Sequence, residues 1–189
     1  DVLVLADEIH ADLLLGGISH TPLAALAPHR VITAVAPSKT FNIPGLGLSV
    51  LIAANTAHRQ SLQSVFNRWH VSAYNPFSQA AFVAAYRHGQ PWLDALLNYL
   101  LVSRDQVLAR LLEVMPVVES TRPEATYLLW LDFSKLNLGD SALQQRLVDV
   151  GLGLNPGPSF GRAGQGHMRL NFAAPRSQVM DAINRLAKL

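Results

Sequence analysis

The stretch Ala36-Pro37-Ser38-Lys39-Thr40-Phe41-Asn42 places a lysine between two hydroxyl side chains, directly after an apolar run. That run, Val31 to Val35, is short and rich in β-branched residues, which predicts a buried strand. We expect Lys39 to be partly desolvated there, and desolvation favours the neutral amine that attacks an aldehyde. The flanking hydroxyls could donate to a phosphate. The alternative is a solvated loop lysine, and this stretch alone leaves both open.

Two further apolar runs, Val2 to Leu5 and Leu48 to Ala54, precede and follow the run Val31 to Val35 in the sequence. Continuous rather than alternating apolar residues predict strands that are buried on both faces, as in an α/β sheet. Asp7 stands at the end of the predicted strand that begins with Val2. A buried carboxylate there would need a cationic or hydrogen-bonding partner, whereas the alternative role for Asp7 is a helix N-cap. Polar groups at strand ends of such sheets are where ligands usually bind.

Helical periodicity and strand patterns organise the remaining chain. Three helices are predicted first, over 57–69, from a cap at Ser78 to Tyr86, and over 92–115. The order β-α-β-α then predicts a smaller α/β domain, with strands over 125–131 and 168–172, a helix capped by Ser141 and a last helix from Val179. The glycine-rich region 151–166 is predicted to be a loop or an ordered active-site turn. We therefore divide the chain into residues 1–91, a linking helix over 92–118, and residues 119–189.

The composition excludes several classes of protein. Half of the 189 residues are hydrophobic and 15% are charged, which is typical of a globular domain. The net charge is only +2 and no Lys/Arg-rich run occurs, so we predict no nucleic-acid partner. Without cysteine, disulfides, zinc-thiolate sites and a cysteine nucleophile are excluded, and no metal is predicted. No apolar run is long enough to span a bilayer, so no membrane partner is predicted.

Five motifs, taken in order, resemble the fold-type I pyridoxal-5′-phosphate (PLP) enzymes of the class I/II aminotransferase family. The D-E-I-H form of the first and the S-K-T-F-N form of the second resemble the cystathionine β-lyase (C–S lyase) branch. The resemblance covers essentially the whole chain. It implies an α/β fold: part of the PLP-binding large domain, with a mostly parallel sheet, followed by a smaller C-terminal α/β domain. The motifs are Asp7-Glu8-Ile9-His10-Ala11-Asp12-Leu13, Ala36 to Leu46, Pro123 to Asp132, Asn155 to Gly161 and Gly166 to Ala173.

The resemblance also implies site residues. Lys39 would form the Schiff base with the cofactor and then abstract the substrate α-proton. Asp7 would pair with the pyridine nitrogen, and Ser38 would contact the cofactor phosphate. Arg169 would bind the substrate α-carboxylate, with a surface strand arginine as the alternative. His10 would hydrogen-bond the phenolic oxygen of the cofactor, or else be a packed structural histidine.

The sequence departs from the family pattern at one position, and two parts of the family's cofactor site are not found in it. Gly47 stands where the broader family often has an arginine that grips the phosphate. The glycine-rich phosphate loop and the aromatic residue that stacks on the cofactor ring are expected in an N-terminal part that precedes this chain, because the sequence opens on a strand pattern. The chain alone is therefore expected to be inactive. Tyr127 and Trp130 are predicted to be core residues.

The activity implied by the resemblance is β-elimination from a sulfur amino acid, which gives pyruvate, ammonia and a thiol. The alternative enzyme is an aminotransferase that moves the amino group to a 2-oxo acid. A non-enzymatic alternative is an inactive fragment or a regulatory protein-binding module. The resemblance further implies an amino-acid substrate, a homodimer and a cytoplasmic location.

Overall fold

A computed structural model describes residues 2–72 and 75–189 of the chain. The chain divides into two compact units, Asp1–Leu96 and Leu97–Leu189. A continuous helix over Gln90–Val114 overlaps the range predicted for a linking helix, 92–118, and the boundary between the units falls inside it. No helix in the described ranges is long and apolar enough to cross a membrane.

The first unit contains a three-stranded sheet in the order β1-β2-β3. β1 and β2 are parallel, with Asp7 opposite Ala34, whereas β2 and β3 are antiparallel. Its elements are β1 (Val4–Asp7), α1 (Leu23–Leu26), β2 (Val31–Val35), β3 (Val50–Ala53), α2 (Thr56–Arg68), α3 (Pro76–His88) and the start of α4 (Gln90–Val114).

Only the central strand of this sheet is well buried. Val31, Ile32 and Thr33 of β2 are buried, but Leu5 on β1 is 66% exposed and Ile52 on β3 is 53% exposed. The prediction that all three apolar runs are buried on both faces is therefore wrong for β1 and β3. They are the outer strands of the sheet, and in the described part of the chain one of their faces is left open.

The start of α3 also differs from the prediction. Asn75, not Ser78, caps the helix, because its side-chain oxygen accepts from the backbone N–H of Phe77 at 3.0 Å and of Ser78 at 3.3 Å. Pro76 occupies the first turn, where its missing N–H costs nothing. Ser78 is instead buried.

The second unit contains a four-stranded sheet in the order β4-β5-β7-β6, and every pairing is antiparallel. The two central strands alternate, so that one face buries Leu129, Leu131, Met168 and Leu170. Two helices contribute further buried apolar residues. The elements are β4 (Glu119–Ser120), β5 (Leu128–Asp132), α5 (Asp140–Asp149), β6 (Asn155–Pro156), β7 (His167–Asn171) and α6 (Arg176–Leu186).

The glycine-rich region between α5 and β7 is ordered. It holds β6 and two short 3₁₀ segments, Gly157–Phe160 and Arg162–Gly164. A side-chain carbon added at Gly157 would lie 2.0 Å from the carbonyl oxygen of Gly164, and one at Gly164 would lie 2.1 Å from that of Gly157. Only glycine permits this approach of two backbones. Close contact between the backbones of Gly157 and Gly164 therefore holds the two 3₁₀ segments of this loop together.

Candidate functional site

Lys39 lies in a compact turn that follows β2. Two backbone hydrogen bonds fold this turn: the N–H of Phe41 donates to the carbonyl of Pro37 at 2.9 Å, and the N–H of Ile43 donates to that of Ser38 at 3.1 Å. Asn42 completes the turn with a φ of 53°. The turn fixes the backbone on both sides of Lys39, so the base of its side chain is well positioned.

The predicted desolvation of Lys39 is wrong for the described chain, where the residue is exposed. The reason is the direction of the turn: Ser38 is half-buried, Lys39 points outward and Thr40 is fully buried. The amine is therefore accessible to a ligand.

Asp7 is exposed at the end of β1, so the prediction of a buried carboxylate is also wrong. Its Oδ1 accepts from the backbone N–H of Ile9 at 3.3 Å, a local turn contact. No helix starts there, which removes the N-cap alternative as it was predicted. Because β1 and β2 are parallel and Asp7 pairs with Ala34, Asp7 lies at the same edge of the sheet from which the Lys39 turn leaves.

A hydrogen bond joins the segments that carry Asp7 and Lys39. The Thr40 hydroxyl donates to Oδ2 of Asp12 at 3.0 Å. Burial raises the pKa of the Tyr86 hydroxyl, and the negative charge of Asp12 raises it further. Thr40 is one of the two flanking hydroxyls that could donate to a phosphate, and here its hydroxyl donates to Asp12. Asp12 belongs to the first quoted motif, but the sequence alone did not indicate it as a site residue.

Aromatic contacts hold the other side of the Lys39 turn. The ring of Phe41 meets that of Tyr86 edge-on, with centroids 5.6 Å apart, and lies 5.9 Å from that of Trp92. At Gly89 an added side-chain carbon would come within 2.4 Å of the Phe41 ring. The turn thus rests on the end of α3 and the start of α4.

The turn after β1 carries His10 and Glu8, both half-buried. Glu8 accepts from the backbone N–H of Leu23 at 2.9 Å and lies 3.0 Å from Nε2 of His20. Burial raises the pKa of the Glu8 carboxyl, but the bonds with His20 and Leu23 outweigh burial and hold this pKa below its ordinary value. Glu8 therefore anchors the segment between β1 and α1, and both roles considered for His10 stay open.

Arg169 lies at the centre of β7 in the second unit. It pairs with Trp130 on β5 and with Asn155 on β6. Its Nη2 donates to Oδ1 of Asn155 at 3.2 Å, and its Cζ lies 4.6 Å from the centroid of the Phe160 ring. Its Nε is buried and has no hydrogen-bond partner among the described residues. Arg169 is half-buried, and neighbours on three segments contact it.

Trp130 shares the half-exposed face of the sheet with Arg169. Its ring meets Phe160 edge-on at 5.5 Å and stacks on His167 at 5.6 Å. Nε2 of His167 in turn lies 3.7 Å from Oδ2 of Asp132. The prediction that Trp130 is a core residue is wrong, since strand alternation turns it away from the buried Leu129 and Leu131.

Tyr127 and a small cavity complete the surroundings of Arg169. Burial raises the pKa of the Tyr127 hydroxyl, and the positive charge of Arg169 partly offsets this effect. A cavity of about 240 Å³ has Asn155, Arg169 and Gln178 among its lining residues. The cation is thus within reach of a small ligand.

These two groups of residues can be compared with known proteins. The model of the family "Aminotransferase class I and II" matches residues 1–186. The chain is 40% identical over 189 residues to cystathionine beta-lyase PatB of Bacillus subtilis, covering 98% of this chain and 49% of that protein. It therefore spans about half the length of the curated relatives that it matches.

Two solved structures are similar throughout. A PLP-bound protein of Clostridium difficile 630, named as an aminotransferase, has a TM-score of 0.96 at 38% identity, covering 98% of this chain and 49% of that chain. Cystalysin of Treponema denticola, which contains PLP, has a TM-score of 0.95 at 29% identity, covering 100% and 49%. The predicted α/β fold, that of fold-type I enzymes, is confirmed by these neighbours. The chain belongs to the class I and II aminotransferase family.

Proposed function

We propose that the complete protein is a PLP-dependent carbon–sulfur β-lyase, which removes a thiol from a sulfur amino acid and yields pyruvate and ammonia. The observation that carries the proposal is the parallel register of β1 and β2, with Asp7 and the Lys39 turn at one edge of the sheet. The D-E-I-H and S-K-T-F-N motifs occupy these two positions. The similarity to cystathionine beta-lyase PatB supports the lyase branch.

The residues at this edge fit PLP by their chemistry. PLP carries an aldehyde, a pyridine nitrogen, a phenolic oxygen and a phosphate, and it supplies the electron sink for a carbanion at the substrate α-carbon. The exposed amine of Lys39 suits the aldehyde, and the exposed carboxylate of Asp7 suits a protonated ring nitrogen. Ser38 would donate to the phosphate and His10 would face the phenolic oxygen. Gly47 offers no side chain, so phosphate binding rests largely on other segments.

The proposed steps use few side chains. Lys39 would hold the cofactor through its Nζ, and the same amine would accept the α-proton of the substrate. Arg169 binds the α-carboxylate, for which a planar guanidinium with several N–H donors is suited. The cavity of about 240 Å³ that Arg169 lines supports this role, because it leaves room for a small carboxylate beside the guanidinium.

Substitution of Lys39 tests the cofactor assignment. In the full-length protein, Lys39→Ala should abolish the visible absorbance of the PLP Schiff base and the lyase activity. The matched control is Lys188→Ala, since Lys188 is exposed and belongs to the second unit. Retention of both signals in Lys39→Ala would refute the assignment.

The second candidate function is amino-group transfer, which the similarity to an aminotransferase of C. difficile 630 favours. Both reactions start with removal of the α-proton, and they differ in whether a β-substituent leaves. Incubation with cystathionine decides between them. Pyruvate and thiol formed without any added 2-oxo acid support the lyase, whereas turnover that requires an added 2-oxo acid supports the transferase.

We also propose that the protein is a cytoplasmic homodimer that acts on free amino acids. Large apolar side chains exposed within the first unit support association, notably Trp69 at 73% and Phe77 at 76% exposed. Light scattering on the full-length protein would give its mass, and a monomer would contradict the proposal. Fractionation of the source cells tests the location.

A further inference from the structure

The guanidinium of Arg169 is held from two directions by side chains of other segments. Asn155 on β6 accepts from its Nη2 at 3.2 Å. Phe160, from the 3₁₀ segment Gly157–Phe160, lies against its face, with 4.6 Å from Cζ to the ring centroid. Trp130 supports the Phe160 ring edge-on at 5.5 Å. One guanidinium face and one N–H are thus committed before any ligand binds.

We propose that Phe160 and Asn155 are positioning residues, which fix the plane of the Arg169 guanidinium for a substrate α-carboxylate. This rests on the proposed function of Arg169. An arginine side chain loses rotamer freedom when it binds a ligand, and bidentate binding of a carboxylate requires one plane of the guanidinium. A ring against the guanidinium face and an amide oxygen at one N–H remove that freedom in advance.

The exposure of Phe160 argues that its ring serves more than core packing. It is 51% exposed, on a short segment at the surface of the unit. The segment itself is well fixed: the hydroxyl of Ser159 donates to the carbonyl of Pro156 at 2.6 Å, and Gly157 lies against Gly164. A rigid segment that presents a half-exposed ring to an arginine suits the positioning role. The competing explanation is that Phe160 merely covers Trp130.

Ligands that cannot react separate these explanations. We would titrate full-length PLP-bound protein with 3-(methylthio)propionate and with 3-(methylthio)propionamide, using calorimetry. Neither has an amine, so neither can react with the cofactor, and the amide replaces the carboxylate that Arg169 would meet with a neutral group of similar size. The wild-type protein should bind the acid more tightly than the amide.

The expected result for Phe160→Leu is an acid affinity that is weaker by about three- to tenfold, from the loss of a cation–π contact. The amide affinity should stay within about twofold of the wild-type value, because the amide has no negative charge for the guanidinium to bind. Phe160→Tyr keeps the ring and should behave as wild type. With cystathionine, Phe160→Leu should raise KM by a similar factor and leave kcat nearly unchanged. Asn155→Ala is an independent second variant with the same expected pattern.

Three results would overturn the proposal. Equal weakening of acid and amide in Phe160→Leu would give the ring a merely structural role. Unchanged acid affinity in both Phe160→Leu and Asn155→Ala would remove any positioning role. Arg169→Gln is the reference: if it does not selectively weaken the acid, the assigned function of Arg169 fails together with the positioning proposal. If it does while the other variants have no effect, only the positioning proposal fails.

Discussion

Thr40 donates its hydroxyl hydrogen to Oδ2 of Asp12 over 3.0 Å, and Thr40 is fully buried. The two residues belong to the two motifs that flank the candidate cofactor site, one after β1 and the other after β2. The bond thus ties the segment that follows Asp7 to the turn that carries Lys39. The exposed Lys39 is positioned by a buried neighbour.

The first prediction concerns this bond. Thr40→Val keeps the shape of the side chain but removes the donor, which leaves the exposed Asp12 carboxylate without that partner. Because water can replace the lost donor at an exposed carboxylate, we expect a loss of about 0.5–1.5 kcal/mol in the free energy of unfolding. Denaturant unfolding of the full-length protein measures it. Thr40→Ser retains the hydroxyl and should lose markedly less, and equal losses in the two variants would show that packing, not the bond, is what matters.

The second prediction concerns the glycine pair in the loop that carries Phe160. Gly157→Ala places a carbon 2.0 Å from the carbonyl oxygen of Gly164, so the backbones must separate. We expect a loss of about 1–3 kcal/mol in stability, the usual cost of forcing extra atoms into a packed site.

Gly153→Ala is the matched control for this variant. Gly153 lies in the same loop, has ordinary φ and meets no atom within 4 Å of an added carbon. Alanine there should be neutral or slightly stabilising, because it restricts the unfolded chain. Thermal unfolding of both variants gives the comparison, and similar melting temperatures would contradict the role of the close contact.

Much of the fold was predictable, because the periodicity of apolar residues and the positions of turn-forming residues are local properties of the sequence. The helical spacing of apolar residues before Pro116 predicted α4, and the apolar run Val31 to Val35 predicted β2 at its observed bounds. The strand predicted over 125–131 is β5, which starts three residues later, at Leu128. The turn after β2 followed from the polar stretch around Lys39. These features depend on neighbours in the sequence, which is why a pattern suffices.

The environment of the site was less predictable because it depends on which segments meet in space. Asp7 and Lys39 were expected to be desolvated, yet both are exposed, since an apolar strand does not specify what covers its end. Trp130 was assigned to the core because it lies in a continuous apolar run, but strand alternation turns it toward Arg169. The contact of Phe160 with Arg169 requires the Gly157–Gly164 closure, which no local pattern specifies.

The third prediction is a pH dependence. The hydrogen bond from Arg104 holds the pKa of the Asp105 carboxyl below its ordinary value of 3.8, and the charges of Arg104 and Arg122 add to this effect. The Arg104 side chain is only 6% exposed, so its charge depends on this partner. A lowered carboxyl pKa stabilises the folded state above the ordinary value, and that stability is lost as the pH falls through the folded value.

Asp105→Asn should therefore cost on the order of 1 kcal/mol near neutral pH, a discounted figure because the Asp105 carboxylate is 42% exposed. The difference from wild type should shrink as the pH falls from about 5 toward 3, below the ordinary carboxyl pKa. Urea unfolding at several pH values measures it. Arg122→Gln removes only the exposed partner and should cost less than about 1 kcal/mol. A pH-independent difference for Asp105→Asn would contradict the charge-based explanation.

The fourth prediction concerns Phe41, the aromatic anchor of the Lys39 turn. Its ring contacts those of Tyr86 and Trp92 at 5.6 and 5.9 Å. Phe41→Leu keeps an apolar side chain but loses both aromatic contacts, each worth about 0.5–1.5 kcal/mol beyond buried area. We expect a loss of about 1–2 kcal/mol in stability, and a change in Trp92 fluorescence because its neighbour has changed. Leu112→Met is the control, since Leu112 is 69% exposed on α4 and should stay within about 0.5 kcal/mol of wild type. Equal stability of the two variants would mean that the aromatic contacts do not anchor the turn. The position of Lys39 would then depend on the hydrogen bond between Thr40 and Asp12 and on the backbone hydrogen bonds of the turn.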